Sequence, residues 1–86
     1  MKIYGINGNK NLIGPQIKAW RNSRRLSQAQ LAAQLQLKGI MIDQKAISRI
    51  ELGHRIVTDY ELWAISRILG VTADELLTVS DQAPTN

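Results

Sequence analysis

"DQKAISRIELG", Asp43 to Gly53, decides how the rest of the chain is read. An aspartate can accept from the free backbone N–H groups at a helix start. A glycine readily takes the left-handed conformation that often ends a helix. Between the two, a 3.6-residue repeat puts Ala46, Ile47 and Ile50 on one side. Gln44, Lys45, Ser48 and Arg49 fall on the other, close to the helix start. The stretch therefore reads as a short helix with an apolar side for the core and an outward side crowded with hydrogen-bond donors.

The same punctuation recurs outward from this segment. A capping residue flanked by an apolar N′ residue and an apolar N4 residue occurs at Ser27 (Leu26, Leu31), Asp43 (Ile42, Ile47), Thr58 (Val57, Leu62) and Thr72 (Val71, Leu76). At Ser27, Thr58 and Thr72 a capping box is completed by Gln30, Glu61 and Glu75. Gly53 and Gly70 stand where the third and fourth helices should stop. The first helix lacks a strong cap and is expected to begin between Leu12 and Pro15, proline being suited to a first turn. Five helices are predicted, over 13–24, 28–36, 44–52, 59–69 and 73–78, and no stretch alternates as a strand would. The predicted core is Ile13, Ile17, Trp20, Leu26, Leu31, Ala32, Leu35, Ile42, Ile47, Ile50, Leu62, Ile65, Leu69, Val71, Leu76 and Leu77. Residues 1–11, rich in Gly and Asn, read as a mobile leader, 12–78 as the helical domain and 79–86 as a frayed tail.

Composition narrows the function classes. With 86 residues there is room for one small domain. The absence of cysteine removes disulfides and thiolate ligands, and a lone His54 cannot complete a metal site. No apolar run approaches the ~20 residues of a membrane span, and the N-terminus lacks the apolar region of a secretion signal. A soluble, cytoplasmic protein is expected. The net charge of +4 conceals an asymmetry. Residues 1–42 carry seven basic residues and no acid, a balance of +7; residues 43–86 carry four basic and seven acidic, a balance of −3. Such a distribution points to a polyanionic partner, nucleic acid before an anionic membrane, while a solvated charged face with no partner accounts for the charge equally well.

"IGPQIKAWRNSRRLSQAQLAAQL", then "IDQKAISRIELG", then "TDYELWAISRILGVTADELL" together resemble the Cro/repressor-type (XRE-like) helix-turn-helix family over about residues 12–77. The resemblance implies an all-α, five-helix repressor-like DNA-binding domain whose 44–52 helix enters the major groove. Its outward residues are of the types that read bases: Gln pairs with adenine, Arg or Lys with guanine, and Ser with several partners. Gln44, Lys45, Ser48 and Arg49 are thus the expected base contacts. Gln28, His54, Arg55 and Arg21 are the expected phosphate contacts, and Arg21 with Glu51 a partly buried bidentate ion pair. Arg24 and Arg25 add to the positive field or serve only solubility, and Lys2 and Lys10 lie on a leader that some DNA-binding domains use as an arm.

One departure from the family is the long join between the second and third helices, "QLKGIMI", Gln36 to Ile42. It either extends the second helix or bulges around Gly39, with Leu37, Ile40 and Met41 expected as additional core rather than as a protein-binding patch. The expected protein is a sequence-specific bacterial or phage-type regulator, a repressor by preference, acting as a homodimer on a two-fold operator. Trp63, Leu77 and Val79 are candidate dimer contacts, although for Trp63 a place completing the core is the preferred reading. The alternative is an antitoxin-like or coregulator module that binds a protein partner with the same fold. An enzyme is not expected, because no nucleophile–base pair, phosphate-binding glycine loop or paired carboxylate is present. No cofactor or metal is expected.

Overall fold

The computed structural model describes residues 8–78, in which five helices and no strand occur. They are α1 (Gly14–Ser23), α2 (Gln28–Leu37), α3 (Gln44–Glu51), α4 (Asp59–Leu69) and α5 (Ala73–Leu77). The all-α, five-helix expectation holds, with each boundary within one residue of its predicted place.

Local chemistry accounts for the boundaries. Ser27, Asp43, Thr58 and Thr72 each accept from the N–H three residues on, and the three capping boxes close with Gln30, Glu61 and Glu75. The helix ends are equally uniform. After α1, α2, α3 and α4 the chain passes through a left-handed residue, Arg25, Gly39, Gly53 and Gly70 respectively. Each time a pair of backbone bonds closes the turn, as in Ile40 N–H to Leu35 C=O and Gly39 N–H to Gln36 C=O. The long join is thus a small loop around Gly39, and α2 runs only to Leu37, one residue past its predicted end.

α2 packs on α3 and α4, α1 on α3, α4 and α5, and α4 on α5. The enclosed core contains Ile13, Ile17, Leu31, Ala32, Leu35, Ile42, Ile47, Ile50, Ala64, Ile65, Leu69, Val71 and Leu76. Trp20, Leu26 and Leu62 pack against it half-buried. Three core expectations need correction. Leu77 is 44 % exposed, because α5 is a five-residue helix whose buried side is taken by Leu76. Leu37 and Met41 are 88 % and 79 % exposed. The turn at Gly39 folds Ile40 and Ile42 back onto the core and leaves their neighbours outward. Ala64 and Ser66 are buried although the sequence pattern marks neither; Ser66 satisfies its hydroxyl by donating to the Trp63 carbonyl at 2.7 Å.

Two residues of the expected leader, Lys10 and Asn11, are tied to the helical domain. The Lys10 N–H donates to the Gly53 carbonyl at 2.8 Å. The Asn11 amide donates to the carbonyls of Ile50 (3.1 Å) and Arg55 (2.8 Å), while its oxygen accepts the Gly14 N–H at 2.8 Å. Asn11 thus supplies the cap that α1 lacks and ties the start of α1 to the end of α3. Residues 1–7 and 79–86, with the predicted leader, Lys2, the tail and Val79, lie outside the described residues.

Candidate nucleic-acid interface

α3 is held by its apolar side. Ile47 and Ile50 are fully buried and Ala46 is half-buried. Gln44, Lys45 and Arg49 are exposed and Ser48 is half-buried, so the outward side foreseen from the repeat is a real surface of the fold. Asp43, at the N-cap, accepts the Ala46 N–H at 2.8 Å and so fixes where α3 begins.

Behind that surface lies a buried ion pair. Arg21 donates from Nε to Glu51 Oε2 at 2.6 Å and from Nη2 to Glu51 Oε1 at 3.1 Å. The residues are 7 % and 8 % exposed. The Arg21 Nη1 donates to the Leu26 carbonyl at 2.7 Å. Arg21 therefore joins α1, the turn before α2 and the end of α3 in one network. All three guanidinium nitrogens already have partners inside the domain, and this burial is poorly suited to the phosphate contact expected of it.

Gln28 extends the network outward. Its Nε2 donates to Glu51 Oε1 at 3.0 Å, and its Oε1 accepts from Gln44 Nε2 at 3.2 Å. Gln28 is the first residue of α2 and Gln44 the first of α3. A continuous run of hydrogen bonds thus links the buried carboxylate to the exposed helix start. Sequence reasoning places Gln28 and Gln44 at the interface separately and misses the bond between them, for which a 16-residue separation gives no local signal.

The loop after α3 places its two expected contacts differently. His54 is exposed. Arg55 is drawn to Glu61 instead, with Nη1–Oε1 at 2.8 Å and Nη2–Oε2 at 3.1 Å. The hydrogen bond from Arg55, assisted by the one from the Thr58 backbone, lowers the Glu61 pKa although burial opposes it. The Arg55 pKa is raised, first by its hydrogen bond to Glu61. A phosphate contact by Arg55 would have to share or displace this carboxylate.

The remaining candidates are dispersed. Arg24 donates to the Leu69 carbonyl at 2.8 Å and lies over the Trp20 ring, so it caps the end of α4. Arg25 and Lys10 are exposed. Trp63 is 54 % exposed, stacked against Arg67, beside a groove of about 390 Å³ between α4 and α5. No group of metal-ligating side chains occurs among the described residues, and none of their helices is long and apolar enough to cross a membrane.

The family model described as helix-turn-helix matches residues 17–76. The search of curated proteins and the search of solved structures found no match.

Proposed function

The chain belongs to the helix-turn-helix family, of the Cro/repressor type, and from that premise we propose that it is a sequence-specific double-stranded DNA-binding transcriptional regulator acting as a repressor. α3 lies in the major groove with Gln44, Lys45, Ser48 and Arg49 toward the base edges. The observation that carries this reading is the joint exposure of Gln44, Lys45 and Arg49 at a helix whose isoleucines are fully buried. Gln28, at the start of α2, and His54, in the loop after α3, are the phosphate contacts that set register. A helix of this length reads only a few base pairs, so useful affinity calls for a homodimer on two half-sites about one helical turn apart. Trp63 and Leu77 are the exposed apolar residues proposed for that contact.

The test is selection of bound duplexes from a random pool, repeated with Gln44→Ala and Arg49→Ala. Each variant should lose preference at one or two base positions, a cost of about 1–3 kcal/mol per missing bidentate pair. Unchanged preference in both variants would refute the placement of α3.

A second reading is favoured by the exposure of Leu37 and Met41 beside the α2–α3 turn. In it the same fold is an antitoxin-like or coregulator module, and these two side chains meet a protein partner. Duplex binding separates the readings: the first requires strong salt dependence and a large preference for one sequence, whereas a pure protein-binding module shows neither.

A further inference from the structure

We propose that the exposed side of α4 joins two copies of this chain antiparallel, with Trp63 at the two-fold axis and Asp59 of each copy facing Arg67 of the other. The inference rests on the homodimer reading and identifies the surface that makes the contact. Asp59, Trp63 and Arg67 follow one another at intervals of four residues and so form one row along α4. All three are exposed. Among the described residues the ion pairs are Arg21–Glu51 and Arg55–Glu61, which leaves the charges of Asp59 and Arg67 unmatched. The Arg67 guanidinium lies 5.4 Å from the centre of the Trp63 ring, and Tyr60, one turn before Trp63, is 74 % exposed. Trp, Tyr and Arg are the side chains that most often anchor protein interfaces.

A two-fold contact must be complementary to itself: what one residue gives its opposite number, the opposite number must give back. The row on α4 meets that condition. Asp59 and Arg67 stand about 6 Å before and after Trp63 along the helix and carry opposite charges. An axis through Trp63 exchanges them, so two Asp59–Arg67 pairs form together. A parallel pairing would set like charges side by side. Trp63 also borders a groove of about 390 Å³ whose far wall is Val71, Thr72 and Ala73. Each copy therefore offers a projecting ring and a groove for the ring of the other. The remaining exposed apolar residues lack this combination. Leu37 and Met41 enclose the cation Lys38, and Leu77 shares a second groove with Lys10. Two-fold copies of either would bring like charges together. α3 packs on α1 and α2, so a copy seated on α4 leaves the base-reading side free.

The experiment is sedimentation equilibrium of the full chain, free and on its selected duplex. A contact along one short helix belongs to the smaller interfaces, below about 1,200 Å², so dissociation is read over a concentration series. Trp63→Ala should weaken the dimer at least about a hundredfold, since symmetry removes the ring twice. Asp59→Arg and Arg67→Asp should each weaken it about tenfold, because both pairs turn from attraction to repulsion. Mixed one to one, the two variants should form a dimer of about wild-type affinity, in which every pair is again Arg with Asp. Adding Trp63→Ala to both chains should abolish the mixed dimer, which a general attraction between altered net charges would survive. Thermal melts establish that each variant is folded, and Trp63→Ala decides alone if a reversed charge at a helix end prevents folding. A mixture that stays monomeric, or a dimer lost in Leu77→Ala and kept in Trp63→Ala, overturns the proposal and leaves the homodimer reading standing. A wild type monomeric at every concentration, free and on DNA, overturns both.

Discussion

Gly14 and Arg25 are opposite cases of what one Cβ can do. At Gly14 the start of α1 meets the end of α3 so closely that a Cβ would collide with the backbone carbonyls of Ile50 and Glu51. Backbone cannot swing aside as a flexible side chain can. Gly14→Ala should therefore destabilise the domain by about 1–3 kcal/mol, the usual cost of forcing extra volume into a packed site. Denaturant unfolding would show a lower midpoint with an unchanged slope. Arg25 holds a φ of 59° in the turn between α1 and α2, where the other three helix ends use glycine. A side chain there carries a steric cost of about 1 kcal/mol that glycine avoids. Part of the relief is offset because glycine is freer in the unfolded chain. Arg25→Gly should still raise stability, by about 0.5 kcal/mol, or roughly 2–4 °C in melting temperature for a domain of this size. A fall in melting temperature would mean that the arginine side chain makes a compensating interaction.

At the scale of elements, the loop from α3 into α4 depends on one carboxylate with two tasks. Glu61 closes the Thr58 capping box and binds Arg55. Its pKa lies below the ordinary 4.5, chiefly through the Arg55 hydrogen bond. A carboxylate whose pKa is depressed on folding stabilises the fold above its unfolded pKa, and that contribution is lost as pH falls through the lower folded value. The contribution should therefore be complete above about pH 5 and fade below about 4.5. The pair is partly solvated, so its size is at most about 1 kcal/mol. Glu61→Gln tests it cleanly, because α2 shows that glutamine closes the same box at Gln30. The variant should lose less stability than the wild type between pH 5 and pH 3, read from urea unfolding at each pH. This pairing also marks where sequence reading stops. The helix starts are legible because capping chemistry is local, three residues from cap to partner. Asn11 reads as part of a loose leader because its partners, Ile50 and Arg55, lie 39 and 44 residues away. Leu37 and Met41 read as core on apolarity alone, since the direction of a side chain beside a left-handed turn depends on where the helix ends.

For the whole molecule, the relevant charge is the part not already matched inside the fold. The basic N-terminal half points to a polyanion, yet two of its positive residues already have partners within the fold. Arg21 is engaged by Glu51 and Arg24 by the end of α4. In the acidic half Arg55 is held by Glu61. What the linear sequence carries as a block of charge, the fold distributes among an ion pair, a helix cap and the interface, and only three-dimensional pairing reveals which cations remain available. Salt dependence measures that remainder, since the slope of log affinity against log salt changes by about 0.9 for each phosphate that a cation neutralises. Glu61→Gln leaves Arg55 in place but removes the carboxylate competing for it. If the loop at His54 and Arg55 lies along the DNA backbone, this substitution should strengthen duplex binding at low salt and steepen the slope by up to about 0.9 per half-site. Arg55→Gln made together with Glu61→Gln should cancel the effect, because the freed cation is then absent. Base preference should be the same in all three proteins, as backbone contacts set register without reading sequence. A slope identical in the wild type and Glu61→Gln would show that removing the carboxylate frees no further cation for the DNA backbone.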